Sequence, residues 1–219
     1  MTETTSQQIS WPPLKRGLVA ILRGITPPEA DAIADVLIEE GFEALEVPLN
    51  SPEPLATIKA MVARHGGHAL IGGGTMLSTA HVDQVADVGG RLMVSPNMRP
   101  AVIRHAVGRG MVTMPGVLTP TEAFDALDAG AAGLKFFPAS LMGPGGIAAL
   151  MAVLPKGTVV GAVGGVGPQN MGDYIAAGVR TFGLGTSVFR PGDSAGDVRG
   201  KARALIRAYD AASAPQAAG

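Results

Sequence analysis

The chain has 219 residues, 47% of them hydrophobic and 16% charged, enough apolar material to bury the core of one domain or one closed barrel. A net charge of -1 with only 17 Lys plus Arg argues against binding nucleic acid or an anionic membrane through a large basic surface, and points to small-molecule partners. The absence of cysteine excludes disulfides, thiolate metal sites and cysteine nucleophiles. No apolar run reaches membrane-spanning length and residues 1–10 lack a signal-peptide pattern, so the expectation is a soluble cytoplasmic protein.

Residues 1–16 read as a short N-terminal extension, and from residue 17 to 210 the chain alternates short apolar runs with helical patterns. Strands are predicted at 18–22, 44–49, 69–72, 92–95, 111–114, 133–137, 159–163 and 181–185. They alternate with helices starting near Pro27, Pro52, Thr79, Pro100, Pro120, Gly145, Pro168 and Asp197. Proline suits a first helical turn, whose N–H needs no partner, and Gly41, Gly89, Gly110, Gly130 and Gly178 stand where helices must end. Eight such units predict an α/β protein with a single (β/α)8 TIM barrel as its only domain. The tail at 211–219 is rich in small and polar residues and is expected to be flexible. A doubly wound open sheet is the alternative, disfavoured by the even spacing and the lack of a dinucleotide glycine fingerprint.

Active sites of such barrels lie at the C-terminal ends of the strands, so ionisable residues that interrupt apolar strands are the informative ones. Among five lysines only Lys135 lies in a predicted strand, and Glu46 is the one carboxylate inside a strand run. Burying either charge alone costs several kcal/mol, which leaves two readings: a structural ion pair, or an amine nucleophile facing a proton-transfer partner. Layered packing of inward residues from even-numbered strands favours the second, and a desolvated lysine has the depressed pKa that a neutral nucleophile needs. The glycines at Gly164, Gly165 and Gly185, with the hydroxyls of Thr186 and Ser187, follow the last two strands, where these barrels bind phosphate; simple turning of strand into helix is the alternative. Arg23 at the end of strand 1 is aimed at the mouth, as an anion contact or a rim salt bridge. Thr75 and Pro96 also reach the mouth, and Phe137 shares the face of Lys135. The four histidines show no metal-ligand spacing, so no metal site is expected.

These segments together resemble the class I 2-keto-3-deoxy-6-phosphogluconate/galactonate aldolase family from about residue 18 to 209. The resemblance rests on Ala20-Ile-Leu-Arg-Gly-Ile25, Glu46-Val-Pro-Leu-Asn-Ser51, Gly72-Gly-Gly-Thr75, Ser95-Pro-Asn97, Pro115-Gly116, Leu134-Lys-Phe-Phe-Pro138, Val163-Gly-Gly-Val166 and Gly183-Leu-Gly185. It implies that Lys135 is the Schiff-base lysine, Glu46 the general acid/base, Thr75 and Pro96 part of a pyruvate pocket, and Gly164, Gly165, Gly185 and Thr186 a phosphate loop. It also implies a homotrimer that cleaves a phosphorylated keto-deoxy sugar acid to pyruvate and glyceraldehyde 3-phosphate without a cofactor. Pro48-Leu49-Asn50, Val163 and Arg23 look like the galactonate branch. The gluconate branch carries Thr-Leu-Arg after its glutamate and threonine before the Gly-Gly pair. Where the family has serine after the strand-8 glycine, this chain has Thr186 followed by Ser187. The rival readings are the gluconate epimer or both epimers as substrate, a phosphate-binding barrel epimerase, and a sugar-phosphate sensor.

Overall fold

The structure, a computed structural model, describes residues 9–214. Within them nine parallel strand segments form a nearly closed α/β barrel and eight helices pack outside it. The strands are β1 (Gly17–Ile21), β2 (Ala44–Pro48), β3 (Leu70–Gly74), β4 (Leu92–Val94), β5 (Val112–Met114), β6 (Gly116–Val117), β7 (Leu134–Phe136), β8 (Val160–Val163) and β9 (Thr181–Leu184). The helices are α1 (Pro27–Glu40), α2 (Pro54–His65), α3 (Thr79–Asp87), α4 (Pro100–Gly108), α5 (Pro120–Asp128), α6 (Ala139–Met151), α7 (Met171–Ala176) and α8 (Ala195–Ser213).

Strand order follows chain order around the barrel, with β9 returning to β1 through Val19 opposite Gly183. The predicted fifth strand is observed as β5 and ends before Pro115, which has no N–H to give to a ladder; the short segment β6 beyond it was not predicted. The Thr113 carbonyl accepts from the N–H groups of Ala132 and Gly133 just before β7, the Pro115 carbonyl accepts from Lys135 N–H at 2.9 Å, and β6 pairs with β7. Alternation along each strand then divides the core. Leu45, Val47, Leu134 and Phe136 face the helices, whereas Val19, Ala44, Leu92, Val94, Val112 and Met114 fill the barrel interior.

Local sequence explains the helix boundaries. At α5, Thr119 Oγ1 accepts from Glu122 N–H while the Glu122 carboxylate accepts from Thr119 N–H, a reciprocal cap before Pro120. At the end of α1, Gly41 takes φ 103°, so its N–H bonds Ile38 and the next N–H bonds Leu37, an arrangement a Cβ would oppose. The other four glycines expected at helix ends also have positive φ. Four helices start away from their predicted residues, α8 among them at Ala195 rather than Asp197. The sixth begins at Ala139 and bends where Gly143 has φ 67° before Pro144; α2 begins at Pro54 and α7 at Met171, after turns.

The N-terminal segment closes the end of the barrel opposite the strand C-termini. Ile9, Trp11 and Leu14 pack on the interior cluster, and Lys15 N–H donates to the Glu43 carboxylate. Arg16 forms a two-bond ion pair with Asp210, and α8 continues beyond that residue to Ser213. The first eight residues of the expected extension, and residues 215–219 of the expected tail, lie outside the described residues. No helix among the described residues is long and apolar enough to cross a membrane.

Candidate active site

Glu46 occupies the centre of β2 and Lys135 the centre of β7, each on the inward face between residues that pack outward. The neighbours of Lys135 in register are Gly116 and Gly161, so the strands on either side put no side chain beside its stem. Glu46 is given room by Gly74, where a Cβ would lie 1.8 Å from Glu46 Oε2. Both groups are nearly sealed, at 2% and 6% exposure.

No ion pair within 4.0 Å joins them among the described residues, and Glu46 Oε2 has no hydrogen-bond partner there. The structural ion pair is therefore not what this geometry contains. Burial drives the Glu46 carboxyl up to about 7, against the attraction of Lys135 and Arg23. Burial likewise lowers the Lys135 pKa; Glu46 opposes the shift and Arg23 adds to it. The Lys135 ammonium position lies 4.8 Å from the centroid of the Phe137 ring, which walls it on one side. An unpaired carboxyl and a desolvated amine, each shifted toward its neutral form, suit acid–base and nucleophilic chemistry near neutral pH.

All twelve residues singled out from the sequence line one cavity of about 520 Å³ at the strand C-termini: Arg23, Glu46, Thr75, Pro96, Lys135, Phe137, Val163, Gly164, Gly165, Gly185, Thr186 and Ser187. Arg23 donates to Asn50 Oδ1 at 2.6 Å, a neutral partner that leaves its charge uncompensated. Thr75 has φ 55°, an unfavourable conformation for a β-branched residue, and it carries the chain from β3 across the mouth. Beside it, Ser95 Oγ donates to the Asn97 carbonyl and fixes the turn containing Pro96.

Gly164 and Gly165 have φ 94° and 79°, and Asn170 holds their turn by donating to the Gly165 carbonyl and accepting from Gly167 N–H. Among the described residues the N–H groups of Gly164, Gly165, Thr186 and Ser187 donate to no protein acceptor. Ser187 Oγ is buried without a partner, whereas Thr186 is exposed. Four free amides and a free hydroxyl thus line adjacent turns of the cavity, a donor arrangement of the kind that suits an anion.

Sequence reasoning missed six lining residues: Ile21, Val166, Pro168, Gln169, Gly183 and Arg190. Period-two counting along β1 and β9 could have found Ile21 and Gly183, and Val166 closes the Val163-Gly-Gly-Val166 segment; no local pattern marks Pro168, Gln169 or Arg190. The spacer Gly74 was also unread, although it sits two residues from Gly72 on the same face. Gly74→Ala is expected to leave a folded protein whose turnover falls on the order of a hundredfold, because the methyl group must displace the Glu46 carboxylate. Steady-state kinetics alongside circular dichroism check this.

A family model described as KDPG and KHG aldolase matches residues 14–198. The chain is 58% identical over 204 residues to a probable 2-dehydro-3-deoxy-6-phosphogalactonate aldolase of Rhizobium meliloti (strain 1021), covering 93% of this chain and 96% of that protein. It is 50% identical over 195 residues to the 2-dehydro-3-deoxy-6-phosphogalactonate aldolase of Escherichia coli (strain K12), covering 89% and 95%. A solved structure described as native KDPGal superposes with a TM-score of 0.91 at 49% identity, over 93% of this chain and 98% of that one.

Proposed function

The chain belongs to the KDPG and KHG aldolase family and is an aldehyde-lyase, and on that premise we propose that it cleaves 2-dehydro-3-deoxy-6-phosphogalactonate to pyruvate and D-glyceraldehyde 3-phosphate through a Schiff base on Lys135. The observation that carries this reading is the buried Lys135 amine, which among the described residues has no ion-pair partner, sharing one cavity with Glu46, whose buried Oε2 has no hydrogen-bond partner there. Neutral Lys135 attacks the C2 ketone, and loss of water gives a protonated imine. The C3–C4 bond breaks, its electron pair moving toward the imine nitrogen to form the enamine. Glu46 takes the C4 hydroxyl proton, directly or through a water, as the aldehyde leaves. The same carboxyl then returns a proton to C3 of the enamine, and hydrolysis frees pyruvate and the lysine. The imine is the electron sink, so this mechanism uses no cofactor or metal.

The free amides of Gly164, Gly165, Thr186 and Ser187 suit the substrate phosphate, and the buried, unpartnered Ser187 hydroxyl is the better placed of the two candidate hydroxyls. Thr75, Pro96 and Phe137 line the pyruvate end, and Arg23 contributes positive charge beside Glu46 and Lys135. We read β5 and β6 as one strand broken at Pro115, which makes the architecture (β/α)8. Family resemblance supports reading the protein as a homotrimer, and the lack of a signal-peptide pattern supports a cytoplasmic location; Leu141 and Val153, exposed at 72% and 59%, are apolar side chains that an assembly could cover.

Preference for the galactonate epimer rests on Val163, whose side chain lines the cavity where a threonine would offer a donor and an acceptor. The wild type is expected to have the higher kcat/KM for the galactonate epimer, and Val163→Thr to narrow that preference roughly tenfold or more. Parallel kinetics on both epimers test this. A wild type favouring the gluconate epimer, or an unchanged ratio in the variant, contradicts it.

A further inference from the structure

The cavity holds one cation that the mechanism leaves unused. Its charged lining residues are Lys135, Glu46, Arg23 and Arg190, and of the two arginines only Arg23 acts on the charge of Glu46 and Lys135. Arg190 stands three residues beyond Ser187, past a single turn in which the N–H groups of Val188 and Phe189 bond the Gly185 carbonyl. It therefore lies on the same loop as the anion-binding amides, away from the reacting centre.

The loop holds this residue in place without neutralising it. Arg190 N–H donates to Asp193 Oδ2 at 2.6 Å, and Asp193 N–H donates back to the Arg190 carbonyl at 3.0 Å. The Asp193 carboxylate also pairs with Lys201 on α8, so its charge is already engaged. Within this turn Gly192 has φ 91°, and Pro191 packs against Gly24 so closely that a Cβ there would lie 2.7 Å from Pro191 Cγ. The Arg190 guanidinium makes no hydrogen bond or ion pair among the described residues. A fixed backbone carrying an uncompensated guanidinium beside free amides is a site for a phosphate dianion, whose oxygens accept two N–H groups of the planar fork at once.

We propose that Arg190 is a substrate-binding residue that grips the phosphate of the sugar acid from the rim, completing the site formed by the glycine turns and Ser187. The inference rests on the aldolase reading above and extends it from backbone amides to a side chain that reads the presence of phosphate. Because the contact is remote from the bond that breaks and is kept throughout the reaction, its loss raises KM and leaves kcat near the wild-type value.

The test compares wild type, Arg190→Met and Arg190→Lys. Turnover of 2-dehydro-3-deoxy-6-phosphogalactonate and of its unphosphorylated analogue is measured, together with inorganic phosphate binding by calorimetry. Arg190→Met is expected to raise both KM for the phosphorylated substrate and Kd for inorganic phosphate roughly tenfold. Constants for the unphosphorylated analogue stay unchanged, and Arg190→Lys recovers part of the loss because it keeps charge without the fork. Equal losses on both substrates, or unchanged phosphate affinity, would overturn the proposal. If the wild type cleaves neither compound but phosphate affinity still falls in Arg190→Met, the aldolase reading fails while the anion site stands.

Discussion

Lys135→Met is expected to lose cleavage activity by roughly four orders of magnitude or more while retaining the fold. Methionine keeps an unbranched apolar stem in the slot between Gly116 and Gly161 but has no amine, so the imine cannot form and no other group supplies an electron sink for the C3–C4 bond. Folding is preserved because the substitution removes a buried ionisable group rather than a packed core residue. Glu46 then loses one of the two cations that hold its pKa down, and it takes up a proton instead of standing as an uncompensated charge. Lys135→Arg is expected to be equally inactive, since a guanidinium stays protonated and cannot attack a ketone. Lys59→Ala, on the exposed face of α2, should keep wild-type turnover. Kinetics on the three variants, with thermal melting as the folding control, check the set.

Glu46→Gln is expected to lower kcat by roughly 10² to 10⁴ and to change how both activity and stability depend on pH. Glutamine fits the space beside Gly74 but cannot take the C4 hydroxyl proton. In the wild type kcat/KM for cleavage should rise as pH passes through about 7, where the Glu46 carboxylate forms, and the variant should lack that limb. The stability effect has a definite sign. A carboxyl with an ordinary pKa of 4.5 that is raised to about 7 on folding binds a proton in the native state between those values while the unfolded chain does not. Its contribution to stability is thus fully present below pH 4.5 and falls as pH rises toward 7, by about 3 kcal/mol. Glu46→Gln removes that loss. Its melting temperature should exceed that of wild type at pH 8, with the gap closing as pH falls toward 4.5; a variant less stable than wild type at pH 8 would contradict the assignment of burial as the dominant cause.

The barrel was legible because its parts announce themselves locally. Apolar runs between glycine, proline and hydroxyl residues place all eight predicted strands within two residues of observed ones, and helix-ending glycines such as Gly41 carry the expected left-handed backbone. Two departures come from backbone constraints acting inside an element. Beyond Pro115 the chain adds the short strand β6, which the sequence did not predict, and Gly143 with Pro144 lets α6 begin before its bend rather than after it. The cap at Thr26 and Glu29 places α1 at Pro27, whereas α2 has no such cap and starts after Glu53 with φ 41°.

The candidate pair was legible for a different reason: a charge inside an apolar strand is costly, so Lys135 and Glu46 stand out as soon as the strands are drawn. Their relation was not. Sequence favours a separated acid and amine over an ion pair only through the layered packing of a barrel, and three-dimensional register, with glycines flanking Lys135 and facing Glu46, supplies the spacing that keeps them apart. Arg190 was invisible because it sits on a surface turn, where arginine is ordinary; its meaning comes from the engaged Asp193 beside it and the cavity before it.

Borohydride reduction of the protein in the presence of pyruvate, followed by peptide mass spectrometry, tests the central claim most directly. A reduced pyruvate adduct on the peptide carrying Lys135 in the wild type, absent from Lys135→Met, is the predicted result. A folded wild-type protein that gains no adduct, or gains it on another lysine, would contradict the Schiff-base assignment.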